Sequence, residues 1–366
     1  MRVIFAGGGT GGHLFPGIAL AQELVSSNKS AKEEVLFLCT DREFDRKQLE
    51  RYQFNFSILA SPRLPNWKNP ISLAKFLLRM YKTFGQTKKY FKAFKPQIVV
   101  GLGGYGSFSS VRIAKGMSLP FAQLEQNVLP GKITRGYCRE AQSVFSQWSG
   151  TAHYIPKCGQ FEQTGSPIRQ ELLDCLKLSK AEARKQLGLT KEYVLLVIGG
   201  SQGAGAINKL LMANMGLFKS QAHRLSIIHL TGPNGYDEVK NSYQQAGIES
   251  AVFHFSDNMG VIYAASDFAI SRAGGIAIAE MAIFGLPMIL IPLPTAADNH
   301  QYFNAIEVEQ NGAGRLLAQG EAGPKIASSL VIFLAELKPL SQKARAFGRK
   351  DAAKIIAEKL IKLANP

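Results

Sequence analysis

An α/β architecture built from two doubly wound parallel-sheet domains is predicted by three observations in this 366-residue chain. A short apolar run, Val3–Ala6, passes through Gly7-Gly8-Gly9-Thr10-Gly11-Gly12 into a helical pattern at residues 18–24. The same strand, glycine turn and helix recur where residues 194–198 lead into Gly199-Gly200-Ser201-Gln202-Gly203-Ala204-Gly205-Ala206. Elsewhere short apolar runs alternate with helical patterns, as parallel sheets with crossover helices require. The length is too great for one ordinary core, so two domains are expected.

The first turn admits two readings. Glycines remove Cβ and reach positive φ cheaply, and the helix behind them presents unpaired N–H groups and the positive end of its dipole. Such a turn can receive a phosphate. Gly7, Gly9 and Gly12 satisfy G-x-G-x-x-G, and a second apolar run, Val35–Cys39, ends beside Asp41, where an NAD-binding chain keeps its ribose-binding acid. Against this, His13 stands at the exit of the turn, where an imidazole is either a base or a plain cap at the helix start. The positive end of the helix dipole disfavours imidazolium, as a base requires.

Further elements follow in order. Ile98-Val99-Val100 leads into Gly101-Leu102-Gly103-Gly104-Tyr105-Gly106, and Pro120-Phe121-Ala122-Gln123-Leu124 leads into Glu125-Gln126-Asn127. Ser143-Val144-Phe145 reads as another strand. Each polar or glycine cluster lies just after a strand, where the ligand loops of such sheets belong. Gly165-Ser166-Pro167-Ile168-Arg169 reads as a stiff connector, because Pro167 disfavours helix at Ser166. The expected domains are therefore 1–164 and 170–340, joined by 165–169, each offering a glycine turn to a shared central cleft. A basic amphipathic region at about 341–366 is expected to fold back onto the first domain. Residues 273–294 hold one charge, Glu280, yet Gly285 and Pro287 break the run, so it reads as a helix to about Phe284 and a buried strand rather than a membrane span.

Composition narrows the class. Hydrophobic content of 46% with 19% charged residues describes a globular domain with a substantial core. Cys39, Cys138, Cys158 and Cys175 form no C-x-x-C pair, which suits free thiols rather than a disulfide frame or a zinc site. The start is not a secretory signal, because glycines interrupt the apolar run at once. The net charge of +16 points to nucleic acid, an anionic membrane or acidic substrates. No acidic residue occurs between Arg63 and Lys95, a stretch that also holds Lys68, Lys75, Arg79, Lys82, Lys88, Lys89 and Lys92. Residues 71–84 read as a helix with Lys75, Arg79 and Lys82 on one face and Leu73, Phe76, Leu77, Met80, Tyr81 and Phe84 over the rest, with Trp67 upstream. That suits a helix on an anionic membrane as well as a core helix with a solvated basic face.

The remaining clusters each allow a ligand contact and a plain structural role. There is no Asp-x-Asp and no pair of histidines at metal spacing, so no metal and no cofactor is expected. If a diphosphate is handled here, amides, helix dipoles and hydroxyls must meet it, with Ser201 as contributor or as simple N-cap. Arg272-Ala273-Gly274-Gly275 opens a second helix and a second anion-binding terminus. Glu280 lies in an apolar helix, where two ribose hydroxyls or a core arginine would satisfy it. Asp298-Asn299-His300-Gln301 offers donors and acceptors for sugar hydroxyls, or a polar loop.

Taken together, GGGTGGHLFPG, GLGGYG, EQN, GSPIR, GGSQGA, SRAGG…AE and DNHQ resemble, in order and over the whole chain, the MurG family of glycosyltransferase family 28. The resemblance implies the metal-independent GT-B fold and transfer of N-acetylglucosamine, with inversion, from UDP to the muramyl 4-hydroxyl of undecaprenyl-diphosphate-linked muramyl-pentapeptide. It implies a peripheral place on the cytoplasmic face of the bacterial inner membrane, with cell-wall synthesis or division proteins as partners and no nucleic acid. It assigns Thr10, Gly11, Gly12, Asn127 and Arg169 to donor or active-site contacts and Ser201 to the diphosphate. It assigns Gly275, Ile276, Ala277, Ile278, Ala279 and Glu280 to the nucleotide loop, Gln301 to the sugar and Ser256, after Phe255, to the uracil. His13 is the expected catalytic base, and Trp67, Lys75, Phe76, Arg79 and Lys82 the expected membrane contacts. Three positions depart from the family: Leu124 stands for His, Gly106-Ser107-Phe108-Ser109 replaces Ser-Gly-Pro, and Ile276 and Ala277 replace polar residues. The competing readings are another GT-B transferase with a diacylglycerol or sterol acceptor, an NAD-dependent oxidoreductase, and a non-catalytic nucleic-acid or membrane binder.

Overall fold

The computed structural model describes every residue except 61–65, 67–68, 201–204 and 366. The chain forms two units, Met1–Arg169 with Asp351–Pro366, and Gln170–Lys350. Gly165-Ser166-Pro167-Ile168-Arg169, read from the sequence as a connector, is buried and belongs to the first unit.

The first unit begins β1 (Val3–Ala6), α1 (Gly11–Ser26), β2 (Val35–Cys39), α2 (Glu43–Arg51), β3 (Asn55–Ile58), α3 (Pro70–Phe94) and β4 (Ile98–Gly101). It continues α4 (Phe108–Gly116), β5 (Phe121–Glu125), α5 (Lys132–Tyr137), β6 (Ser143–Ser146) and β7 (Phe161–Gln163). All strand pairs are parallel, in the order β3-β2-β1-β4-β5-β6-β7. Side chains alternate between the faces of the sheet. Val3, Phe5, Phe37 and Val100 meet Leu14 and Ile18 of α1, while Ile4, Leu36, Leu38 and Val99 meet Phe91 of α3 and Val111 of α4. Ala6 is level with Gly101, and the strand order reverses between β1 and β4. The crevice at their carboxyl ends is the place where open α/β sheets bind ligands.

Helix α3 is longer than residues 71–84. Pro70 fills its first position, where no N–H is needed. The Asn69 side chain accepts from the amides of Ile71 and Ser72 at 2.9 and 3.1 Å. The extension to Phe94 follows from Thr83, Thr87 and Phe91, which carry the buried stripe past Gly85, where the apolar pattern is interrupted by small and polar residues.

The second unit opens with α6 (Gln170–Asp174), α7 (Lys180–Gln186), β8 (Tyr193–Ile198), α8 (Gly205–Ala213), α9 (Met215–Ser220), β9 (Leu225–Leu230) and α10 (Tyr236–Ala246). There follow β10 (Ser250–Phe253), α11 (Met259–Ala265), β11 (Phe268–Ser271), α12 (Gly275–Ile283), β12 (Met288–Leu290), α13 (His300–Gln310), β13 (Gly314–Leu316), α14 (Ala322–Ala335) and α15 (Leu337–Phe347). Its sheet is also parallel throughout, in the order β10-β9-β8-β11-β12-β13, with the reversal between β8 and β11. Residues 273–294 divide into α12 and β12 at Gly285, whose φ is 70°. Among the described residues no helix is long and apolar enough to cross a membrane.

Residues 341–366 do not act as one body. Helix α15 stays with the second unit, where Ser341 and Arg345 donate to the carbonyls of Gly285 and Phe284 at 2.7 and 3.2 Å. Helix α16 (Ala352–Ala364) belongs to the first, with Ile356, Ala357 and Leu360 buried in the core beside α1.

A closed polar network holds α8 to the second sheet. Asn208 Nδ2 donates to the Thr231 carbonyl at 3.1 Å, and His229 joins Asn208 Oδ1 at 3.1 Å to the Tyr243 hydroxyl at 2.9 Å. The Asn208 oxygen only accepts, so His229 Nε2 carries the proton and Nδ1 accepts from Tyr243. Burial lowers the His229 pKa to about 3, and the ring is neutral in the fold. Between that value and about 6.5 the unfolded chain binds the extra proton, so stability is complete above 6.5 and falls as the pH drops. Each pH unit below about 6.5 costs about 1.4 kcal/mol, or about 2 kcal/mol by pH 5. Denaturant unfolding of the wild type and His229→Gln at pH 7.5 and 5 will show a smaller acid loss in the variant.

Candidate functional site

At the reversal point of the first sheet, Leu102 follows β4. Its N–H donates to the Ala6 carbonyl at 2.8 Å, and its carbonyl lies 3.0 Å from His13 Nδ1. A carbonyl only accepts, so Nδ1 carries the proton and Nε2 is the basic nitrogen of the neutral ring. Gly103 and Gly104, at φ 86° and 66°, lie against the imidazole. A Cβ on Gly103 would sit 3.0 Å from Nδ1, and one on Gly104 3.2 Å from Nε2. The second glycine motif therefore makes room for the imidazole that the first one delivers.

The N–H of Gly9 already has an anion. It donates to both carboxylate oxygens of Asp45 at 2.8 Å, and the Thr40 hydroxyl donates to the same group at 2.6 Å. Gly8, at φ 143°, has no room for a side chain, since a Cβ would lie 2.5 Å from Asp45 Oδ2. Burial pushes the Asp45 carboxyl above its usual pKa, against the hydrogen bonds it accepts. A ligand phosphate on the Gly9 amide would meet this carboxylate. That corrects the dinucleotide reading of the turn: the acid at the glycines is Asp45, and Asp41 is exposed. Thr10, the N-cap of α1, and Gly12 are exposed, and Gly11 is buried.

Asn127 is set by Glu125, the last residue of β5. Glu125 is buried and accepts from the Asn127 amide at 3.1 Å, its Nδ2 at 3.4 Å, the Gly131 amide at 2.9 Å and the Thr134 hydroxyl at 2.7 Å. Buried Trp148 donates from Nε1 to the neighbouring Gln126 carbonyl at 2.8 Å. Arg169 is buried, its guanidinium 3.8 Å from the ring centroid of Phe15, two residues after His13, and its Nη1 3.3 Å from the Tyr52 hydroxyl. Thr10, Gly11, Gly12, His13 and Arg169 thus gather at the first turns of α1. Leu124, in place of the family's histidine, is a core residue.

At the reversal point of the second sheet stands α12, with Gly274 as its N-cap. Gly275, Ile276, Ile278, Ala279 and Glu280 are buried and Ala277 is half-buried. Glu280 accepts from the Tyr263 hydroxyl at 2.9 Å. Gln301, at the start of α13 after the adjacent strand β12, accepts from the Leu293 amide at 2.9 Å. Ser256 follows the edge strand β10, its hydroxyl accepting from the Asn258 amide at 3.1 Å, with Phe255 beside it 51% exposed. Ser201 lies outside the described residues.

On α3, Lys75, Arg79 and Lys82 are exposed together with Ile71, Leu77, Leu78 and Tyr81. Phe76 turns inward instead, half-buried, with its ring 6.3 Å from that of Tyr105. Phe108, a departure from the family pattern, packs on Tyr105, Phe84 and Tyr137. Trp67 lies outside the described residues. Asp45, Glu125 and Tyr105 were not singled out in the sequence. Only Glu125 had a readable signal, an acid at a strand end two residues before Asn127.

Two doubly wound sheets, each with its cluster at the reversal point, are those of a GT-B glycosyltransferase. Residues 3–146 match the glycosyltransferase family 28 N-terminal domain and residues 194–359 the family 28 C-terminal domain. The chain belongs to glycosyltransferase family 28. It is 34% identical over 99% of its length, and 98% of the relative's, to the UDP-N-acetylglucosamine--N-acetylmuramyl-(pentapeptide) pyrophosphoryl-undecaprenol N-acetylglucosamine transferase of Geobacter metallireducens. It is 33% identical to the protein of that name from Myxococcus xanthus, covering 99% of this chain and 93% of that one. The crystal structure of Acinetobacter baumannii MurG superposes with a TM-score of 0.75 at 25% identity over 98% of both chains. A UDP-GlcNAc 2-epimerase from Neisseria meningitidis shares the fold, with a TM-score of 0.69 at 17% identity over 99% of this chain and 100% of that one.

The fit of Gly104 to the imidazole gives a test. Gly104→Ala must both strain a positive φ, at a cost of about 1–2 kcal/mol, and displace His13. Sugar-transfer turnover will fall by about 10–100-fold with only a modest drop in the thermal midpoint, measured side by side.

Proposed function

We propose that the protein transfers N-acetylglucosamine from UDP-N-acetylglucosamine to the 4-hydroxyl of the muramyl sugar of undecaprenyl-diphosphate-linked muramyl-pentapeptide, with inversion. The observation that carries this reading is the likeness, at 32–34% identity over nearly the whole chain, to relatives named for that transfer. The geometry of each unit supports it. In the first, His13 Nε2 removes the hydroxyl proton as the acceptor oxygen attacks the anomeric carbon. The bond from that carbon to the UDP oxygen breaks, and its electron pair leaves on the diphosphate. In the second, the amides at the start of α12 and the Ser201 hydroxyl stabilise the departing charge. Glu280 accepts hydrogen bonds from the ribose hydroxyls, Gln301 contacts the donor sugar, and the backbone at Ser256 meets the uracil. Thr10, Gly11, Gly12, Asn127 and Arg169 line the reacting end.

An NAD-dependent oxidoreductase is disfavoured by Asp45, which holds the amide that a dinucleotide would need. The deciding experiment is a transfer assay with UDP-N-acetylglucosamine and a lipid-linked muramyl acceptor, run in chelator, with diacylglycerol and sterol acceptors alongside. Transfer to the muramyl lipid alone is the expected result. His13→Ala will lower turnover by about 10²–10⁴-fold in the same assay, while Glu280→Ala will mainly weaken UDP binding in a titration.

The acceptor is lipid-linked, and α3 suits the surface that presents it. Its exposed residues include apolar Ile71, Leu77, Leu78 and Tyr81 among Lys75, Arg79 and Lys82, the composition of a helix resting on anionic headgroups. Such a surface is the cytoplasmic face of a bacterial inner membrane, with the protein bound peripherally. In vesicle flotation the wild type will rise with anionic but not neutral liposomes, and replacing Lys75, Arg79 and Lys82 by alanine will abolish the rise.

A further inference from the structure

Arg272 is the residue that follows β11 at the reversal point of the second sheet. It is buried, and its side-chain hydrogen bonds end on neutral oxygens. Nη1 donates to the carbonyls of Ile291 and Pro292 at 3.0 and 3.2 Å, and Nη2 to Gln319 Oε1 at 2.8 Å. Among the described residues no carboxylate pairs with it. Burial alone acts on the guanidinium, pulling its pKa below the usual arginine value. An arginine stays charged nonetheless, and a buried charge is costly without a counter-charge. At the other end of the same strand the fold does not leave that cost standing: buried Asp267 is paired with both Lys180 and Arg184.

The position of the unpaired charge is informative. The Arg272 amide donates to the Ile198 carbonyl at 3.3 Å, where β8 ends. Two residues later comes the N-cap of α12. Its guanidinium is held just past the carboxyl ends of β12 and β13, on the same edge of the sheet where α12 opens, and it adds full charge where that helix start adds only a dipole.

We propose that Arg272 is a positioning residue for the diphosphate of a nucleoside-diphosphate donor, the buried cation that offsets the donor's charge in a site that uses no metal ion. The inference rests on the donor reading above and extends it. With its fork held by Ile291, Pro292 and Gln319, Arg272 acts through its field rather than by touching the ligand. Free UDP carries about one more negative charge than a UDP-sugar, so the fixed cation stabilises the leaving group more than the bound donor.

The test is calorimetric titration of the wild type, Arg272→Gln and Arg272→Lys with UDP, UMP and uridine in chelator. Arg272→Gln will weaken UDP by about tenfold or more and leave uridine within about twofold. Arg272→Lys, which keeps the charge, will keep the UDP-over-uridine preference within about threefold. Equal loss of UDP and uridine in Arg272→Gln, or no loss of UDP, overturns the inference while the donor reading stands. If Arg272→Gln fails to fold, Arg272→Lys decides, since a lost preference there overturns the proposal and a retained one supports it. A wild type that binds neither UDP nor uridine removes the donor reading and this inference together.

Discussion

Parallel pairing in level register is the constraint on which both sites depend. Ala6 lies level with Gly101 and Ile198 with Ser271, so neighbouring strands end at the same height and release their chains into the same crevice. Main-chain hydrogen bonds carry the alignment past the strands, from Leu102 to Ala6 and from Arg272 to Ile198. Each sheet reverses its strand order at that pair, and no crossover helix covers the opening. The glycines, His13 and the start of α12 are placed by this pairing before any side chain selects a ligand. A slip of one residue would exchange the two faces of a strand, carrying side chains packed under one helix layer to the other.

The two crevices then differ in electrostatics. In the first unit an internal carboxylate, Asp45, takes up the turn's amide, and the His13 imidazole stands at the helix start against the Leu102 carbonyl. In the second, no carboxylate among the described residues answers Arg272, and the helix beside it opens without an acidic residue in its first turn. One glycine-led turn is thus closed to an anion at Gly9, whereas the other follows a buried arginine. The backbones differ as well, with Gly7, Gly8 and Gly9 at positive φ and Gly274 at φ −73°.

The fold was legible because its signals are local. Apolar runs such as residues 35–39 and 194–198, each followed by a turn, specify buried parallel strands without knowledge of their neighbours. His13 at the start of α1, Glu280 within α12 and Gln301 at the start of α13 lie on elements whose helical pattern was also local. Asp45 was not legible, because its partner Gly9 is 36 residues away and nothing around Asp45 marks it as buried. The neutrality of Arg272's surroundings depends on carbonyls from a different strand end, so the sequence shows the arginine and hides its isolation. Helix α3 was underestimated for a related reason. Thr83 and Thr87 look polar in sequence, yet they bury by bonding to carbonyls one turn back, at 2.9 and 2.8 Å. The fold-back of the last region was half readable, as amphipathicity marks a helix that docks but not which surface receives it.

The support of His13 by a main-chain oxygen has a consequence for how this site can change over time. Where a carboxylate side chain orients a histidine, a single codon change can delete it, and drift can replace it. The Leu102 carbonyl exists whatever residue occupies position 102, so no substitution there erases the acceptor itself. The orientation of the imidazole is in that sense heritable with the topology rather than with the residue. What remains exposed to genetic change is the clearance around the ring, which only the absence of two side chains preserves.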